Sequence, residues 1–288
     1  MGMLDKGIAV VGTTTIDKIV SQRRSVNKIG GVTAYAGITY SRHGIVTLVV
    51  SNIAKNDRKI IDRLEKENII VFNGHTNRTT HFINDIKQGV RRQRIFNRAR
   101  SIQPHQLSDV IKRVGGLHLG PLHPDDIESE ALTALHNTDL KIFLDVQGYT
   151  RKVATKSVST AVSEHLPAAL SAAHIIKANG TELKLILEHH QKGLAEIMKS
   201  FEIEESVITL GQEGGWVETL SGEKVDYSAD RVENVTDPTG AGDVFFAAYL
   251  ICRYIKNQDI PDACRYAART AACQVEGTYI SIDSLVLQ

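Results

Sequence analysis

The sequence predicts an α/β fold: a mainly parallel central sheet flanked by helices, with a small β-strand lid. Three observations carry this. Short apolar runs alternate with amphipathic stretches along most of the chain, as strands and helices do in a wound sheet. Two segments, 13–27 and 76–100, break the alternation with strand-like, poorly apolar sequence. Near the C-terminus a glycine-rich turn runs straight into a strongly apolar helix, Val244-Phe-Phe-Ala-Ala-Tyr-Leu250.

Taken in order, Gly7-Ile-Ala-Val-Val-Gly12 is a buried strand ended by glycine. Residues 13–27 alternate loosely and are rich in β-branched side chains, which suggests strands outside the core. Gly30-Gly31 opens an amphipathic helix to about Arg42, and Val46-Thr-Leu-Val-Val50 is the next buried strand. Asp57 to Asn68 predicts a charged helix with Ile60, Ile61 and Leu64 on one face. Residues 76–100 read as a hairpin turning at Lys87-Gln-Gly89. Beyond Pro104, strands are predicted at 116–119, 141–146, 174–177, 206–210 and 215–219. Helices are predicted at 124–136, 181–189, 194–201, 240–256 and 261–275. The whole of 1–288 is expected to be one α/β domain, its lid built from about 13–27 and 76–100.

With 288 residues, 42% hydrophobic and 23% charged, the composition is that of an ordinary globular protein. The formal net charge of +1 provides no field for nucleic acid or a membrane surface. Cys252, Cys264 and Cys273 form no C-x-x-C pair and are expected as free thiols. Without a long apolar run or a signal-like start, a cytoplasmic setting is expected. The histidines show no metal spacing, and His189-His190 reads as a helix end.

The chemistry concentrates in Asp237-Pro-Thr-Gly-Ala-Gly-Asp243. Unpaired N–H groups and the positive end of the dipole make a helix N-terminus an anion site. Gly240 and Gly242 lack Cβ atoms, so a phosphate could approach the main chain closely. A carboxylate at Asp243 would repel that phosphate, but makes sense as the base for a hydroxyl that attacks it. The N–H groups of Ala241, Gly242 and Asp243 would then stabilise charge on the transferring group. Neither a P-loop nor the protein-kinase motif set is present.

This segment resembles the C-terminal signature of the ribokinase-like (PfkB) carbohydrate kinases, which has an Asp, a Thr and then Gly-Ala-Gly-Asp. The resemblance is specific there and diffuse over the rest of the chain. It implies the fold above and an ATP-dependent kinase using Mg²⁺, with Asp243 as base and Thr239 beside the donor. It also implies the option of a monovalent cation near Asp237. Lys177-Ala-Asn179-Gly-Thr-Glu182 resembles the family's Asn-x-x-Glu motif near magnesium and phosphate. Glu182 would then reach the metal through water, though the same pattern fits an N-cap and a first-turn Glu. Thr209-Leu-Gly211-Gln-Glu-Gly214-Gly215 looks like the segment that lies along the nucleotide, and also reads as a plain β-turn.

For the acceptor, the resemblance implies Asp17, Gly30 and Gly31, where an early Asp and a Gly-Gly pair hold hydroxyls. A carboxylate accepting from two adjacent hydroxyls suits a polyol. Tyr35 stands where many of these sugar kinases have Asn, a departure that puts ribose in doubt. Thr79-Thr-His-Phe82 and Arg91-Arg-Gln-Arg94 resemble the inositol-kinase branch. The basic run from Arg91 to Arg100 reads either as a solvated strand or as a contact to an anionic ligand. Myo-inositol, nucleosides, ribose and fructose stay open as acceptors. A non-catalytic nucleotide- or sugar-binding protein, or a hydrolase or synthase of the same architecture, are the rivals. A lid with exposed strand edges suggests a homodimer through the lid.

Overall fold

The computed structural model describes residues 6–20, 25–87, 90–136 and 138–287, and within these the side chains other than those of 85–92. The chain begins β1 (Ile8–Gly12), β2 (Thr15–Val20), β3 (Ser25–Gly30), α1 (Val32–Arg42), β4 (Thr47–Ser51), α2 (Arg58–Lys66) and β5 (Ile69–Asn73). It continues β6 (Thr80–Lys87), β7 (Val90–Asn97), α3 (Pro104–Ser108), β8 (Gly116–Gly120), α4 (Ser129–Leu135), β9 (Lys141–Asp145), β10 (Arg151–Ala154) and β11 (Ser157–Thr160). Then come α5 (Leu166–Ala172), β12 (Ile175–Asn179), α6 (Gly180–His190), α7 (Leu194–Phe201), β13 (Glu205–Thr209), β14 (Gly215–Thr219) and β15 (Lys224–Tyr227). The last helices are α8 (Ala241–Leu250), α9 (Ile260–Val275) and α10 (Ile282–Leu285).

Among the described residues, nine strands form the central sheet in the order β15-β14-β13-β12-β9-β8-β1-β4-β5. Pairing is parallel from β13 to β5, and the β13–β14–β15 end is antiparallel. Strand β1 shows why both faces are covered. Ile8 and Val10 pack on the face shared with Tyr35, Val244 and Phe246, while Ala9 and Val11 pack on the other with Leu48, Leu117 and Leu144. Alternate side chains point to opposite faces, so a strand apolar throughout needs helices on both.

The stretches 13–27 and 76–100 supply β2, β3, β6 and β7 to a second, six-stranded sheet ordered β10-β11-β7-β6-β2-β3. Residues 21–24 and the turn at 88–89 lie outside the described residues. Hairpin β10–β11 was not foreseen, because Lys152 to Ser159 is polar and carries no alternating apolar signal. At the opposite edge, Lys28 of β3 forms an antiparallel bridge with Val286.

The helix expected over 124–136 is corrected to Ser129–Leu135. Asp126 instead accepts from the N–H groups of Leu122 and His123 at 2.8 and 3.0 Å, and Ile127 bridges Ile102 in parallel. That bridge, Ile102 N to Asp126 O at 2.8 Å and Glu128 N to Ile102 O at 3.0 Å, consumes the backbone a longer helix would use. The helix expected over 240–256 begins at Ala241 and passes into a π turn, Ile251–Ile255. Strands β5 and β15 and helices α3 and α5 were also missed. Both strands lie at edges of the central sheet and are short. All three cysteines are free thiols. Among the described residues no helix is long and apolar enough to cross a membrane.

Candidate active site

The parallel strands end on one side of the sheet, where ligands of wound α/β folds sit. Asp145 closes β9, Lys177 and Asn179 close β12, and Thr209 closes β13. Helix α8 begins opposite them, and a cavity of about 840 Å³ separates the pieces. Of the expected residues, Asp17, Gly31, Tyr35, Lys177, Asn179, Thr209, Gly211, Gly214, Thr239, Gly240, Ala241, Gly242 and Asp243 all line it. Gly30 and Glu182 do not. Gly30 lies behind Asp17, where a Cβ would fall 2.6 Å from Asp17 Oδ2. Glu182 lies behind Asn179 and accepts its N–H at 2.8 Å, while Asn179 Oδ1 accepts from Glu182 N at 3.0 Å. The capping-box reading of that motif is therefore realised, and the carboxylate is not on the cavity wall.

The turn into α8 is held from several sides. Thr236 N and Asp237 N both donate to Val275 O, at 2.9 and 3.1 Å. Asp237 Oδ1 accepts from Thr239 N at 2.9 Å, and Lys28 Nζ donates to Asp237 Oδ2. Gly240 then takes φ 77°, and a Cβ there would lie 2.3 Å from the Tyr35 ring. Both the left-handed backbone and the ring require glycine at this position. Among the described residues no side chain caps this end of α8; Ala241 N donates to Pro238 O at 3.3 Å, and the N–H groups of Gly242 and Asp243 are the ones positioned for an anion.

Beneath that end lies a buried charge cluster. Lys177 Nζ donates to Asp145 Oδ2 at 2.9 Å, with side chains 5% and 0% exposed. A Cβ on Gly242 would lie 3.3 Å from the same Nζ, so the ammonium sits directly under the helix mouth. Burial, then Asp145, pushes the Asp243 carboxyl up to about 7, against the pull of Lys177 and Arg151. Burial alone would lower the Lys177 ammonium, but Asp145, then Glu182 and Asp243, hold it above its ordinary value. A carboxyl that changes charge near neutrality, beside a fixed cation and an open helix end, is equipped to take a proton.

The smaller sheet supplies one wall. Thr15 Oγ1 donates to Asp17 Oδ1 at 2.7 Å, fixing a carboxylate that is only 6% exposed. Phe82 lines the same end, with Gln93, whose Nε2 donates to buried Asn84 Oδ1 at 3.1 Å. Of the described part of the basic run, Arg94, Arg98 and Arg100 do not line the cavity. Arg98 pairs with Asp125 at 2.8 Å, and the Arg91 and Arg92 side chains lie outside the described residues. Two arginines outside that run line the cavity: Arg231, and Arg151 at the start of β10, with its Nη1 on Leu122 O at 3.2 Å. Sequence reasoning missed Arg151, Asp145 and Gln147. The signal for them was Asp145-Val-Gln-Gly-Tyr-Thr-Arg151, polar residues directly after a buried strand. At the far end the wall turns apolar, with Val232, Val235, Ala268, Ala271, Ala272 and Val275.

A family model described as pfkB family carbohydrate kinase matches residues 5–285. No curated protein matches the chain. Among solved structures, a pyrophosphate-dependent ribokinase-family kinase, complexed with a pyrophosphate analogue and myo-inositol, is similar at TM-score 0.80 and 20% identity, over 93% of this chain and 95% of its own. The Methanocaldococcus jannaschii nucleoside kinase is similar at 0.74 and 16%, over 97% and 95%. Arabidopsis thaliana ribokinase, complexed with ribose and ATP, is similar at 0.72 and 17%, again over 97% and 95%. At such identities the likeness speaks for the shared fold.

Proposed function

This chain belongs to the pfkB family of carbohydrate kinases, and from that premise we propose that it transfers the γ-phosphoryl group of ATP to a hydroxyl of a small polyol, sugar or nucleoside. The observation that carries the reading is Asp243, a cavity-lining carboxyl pushed up to about 7 in the first turn of an uncapped helix. In the proposed reaction Asp243 takes the proton of the acceptor hydroxyl as its oxygen bonds to the γ-phosphorus. The bond to the bridging oxygen breaks, and ADP leaves. The N–H groups of Gly242 and Asp243 and the Lys177 ammonium meet the charge spread over the transferring oxygens.

Donor identity needs its own argument, because one similar structure belongs to a pyrophosphate-dependent enzyme. The apolar end of the cavity favours ATP. A wall of alanines and valines suits a purine ring, a contact that inorganic pyrophosphate would leave unused. Thr209, Gly211 and Gly214 lie along this path and would flank the nucleotide. Mg²⁺ would supply charge neutralisation on the phosphates; it keeps much of its water shell and needs few protein ligands. Among the described residues no group of three or more ligating side chains offers a cage. The ion would be held through water by Asn179, which Glu182 fixes from behind through the capping box.

Asp17 and Tyr35 would face the acceptor, and the smaller sheet would close over it as a lid, excluding water that otherwise competes for the phosphoryl group. Asp17→Ala is expected to raise the acceptor KM about tenfold or more, the worth of a hydrogen bond to a buried charge, with the ATP KM little changed. Initial rates with each substrate varied in turn check this.

The function itself is tested with myo-inositol, nucleosides, ribose and fructose, each offered Mg-ATP or Mg-pyrophosphate. ADP release that depends on one acceptor class supports the reading and names that class. Transfer from pyrophosphate alone would overturn the donor assignment. ATP binding without transfer to any acceptor would make this a binding protein.

A further inference from the structure

Lys28 and Asp237 lie 209 residues apart in sequence, one on β3 of the smaller sheet and the other in the turn that enters α8. Lys28 is 1% exposed and Asp237 9%. Both oxygens of the turn's carboxylate are engaged: Oδ1 accepts from Thr239 N at 2.9 Å and Oδ2 from the Lys28 ammonium. Lys28 Nζ stands 5.9 Å from the centroid of Tyr35, the ring against which Gly240 packs. The strand that carries Lys28 is itself held, since residue 28 bridges Val286 and Leu287 N donates to Asn27 O at 2.9 Å.

We infer that Lys28 is the resident cation of the 236–240 turn: a positioning residue that holds the anion-binding helix mouth in place and occupies the spot on Asp237 where an added monovalent cation would sit. A buried carboxylate needs a counter-charge, and losing one partner leaves the other uncompensated. The ammonium is a compact point charge on a flexible stem, much like an ammonium or potassium ion tethered to β3. Nothing further is needed to neutralise Asp237, and the residues there do not fit an additional cation. Lys28 contacts the turn rather than the cavity, so it acts through the placement of the N–H groups of Gly242 and Asp243.

The inference rests on the kinase reading, and its test separates the two. The first arm needs no variant: ATP affinity by calorimetry and acceptor-dependent turnover are measured for the wild type in sodium, potassium and ammonium chloride at equal ionic strength. Both are expected to be indifferent to the cation. Activation or tighter ATP binding by several-fold in potassium would overturn the inference, whereas turnover absent in every salt counts against the kinase reading and leaves the calorimetric comparison to decide on Lys28.

The second arm uses Lys28→Ala and Lys28→Met. Misplacing the turn should cost each about tenfold or more in kcat and in ATP affinity, with acceptor KM nearly constant. Ammonium or methylammonium should restore Lys28→Ala saturably by entering the vacated space. It should not restore Lys28→Met, whose thioether stem fills that space. Full activity in Lys28→Ala, or equal responses of the two variants to amine, would overturn the inference. If neither variant folds, the wild-type salt comparison still decides.

Discussion

Asp243→Asn is expected to slow phosphoryl transfer by about 10²-fold or more while leaving the ATP dissociation constant within about twofold of wild type. The amide keeps the shape of the side chain and the N–H groups of the helix mouth but cannot take a proton. Removing the carboxylate also removes its repulsion toward the donor phosphates, so binding has no reason to weaken. Near-normal turnover in this variant would sink the assignment of the base. The same position has a stability signature of opposite sign. Burial and Asp145 raise the Asp243 carboxyl to about 7 in the folded protein. The native state therefore holds a proton that the unfolded chain gives up at ordinary carboxylate pH. The stability this contributes is complete in acid and is lost as pH rises through about 7. Asp243→Asn, neutral at every pH, should gain thermal stability over wild type above pH 7, an advantage that shrinks markedly by pH 5. Thermal midpoints at the two pH values check this.

Lys177→Met is the second large effect. It removes the cation beneath Gly242 and leaves Asp145 buried without its partner. Breaking a buried ion pair by deleting one member typically costs about 3–5 kcal/mol, so a marked fall in thermal midpoint is expected. Lys177 also pulls the Asp243 carboxyl downward. Without it that carboxyl rises further above 7, and less of the base is deprotonated at neutral pH. Turnover at pH 7 should fall by roughly 10–10²-fold, through lost charge stabilisation and lost base together. Raising the pH should recover the second part only. The double variant Lys177→Met/Asp145→Leu should regain much of the stability without the activity, since it leaves no orphaned charge. Stability and activity returning together would show that Lys177 is merely structural.

Much of this was legible in the sequence, for reasons particular elements make plain. Strand β1 and helix α8 announce themselves because their burial demands unbroken apolar runs; helix α1, read as amphipathic, is instead buried from Val32 to Tyr40. The glycine-rich turn was readable because Gly240 takes a left-handed backbone against an aromatic ring, a constraint few residues satisfy. Asp243 followed from the mismatch of a carboxylate with an anion site. What escaped depends on contacts between distant segments. Asp145 reads as an ordinary strand end until Lys177 is placed beside it, and Lys28 reads as a surface lysine of a polar strand. Arg151 lies in a hairpin with no apolar period, and the denser run at Arg91–Arg100 is the one that stands out in sequence, although its Arg98 is held by Asp125. The segment at 124–128 looked helical because its backbone partners, Ile102 among them, are far away in sequence.

The most direct measurement of the central claim, that Asp243 is the base at the mouth of α8, is the pH dependence of kcat/KM for the acceptor. It is run from about pH 5.5 to 9 in the wild type and in Lys177→Met. The account predicts an acid limb in the wild type with its midpoint at about 7, displaced to higher pH in the variant. A wild-type profile flat through neutrality, or a limb that Lys177→Met leaves in place, would contradict it.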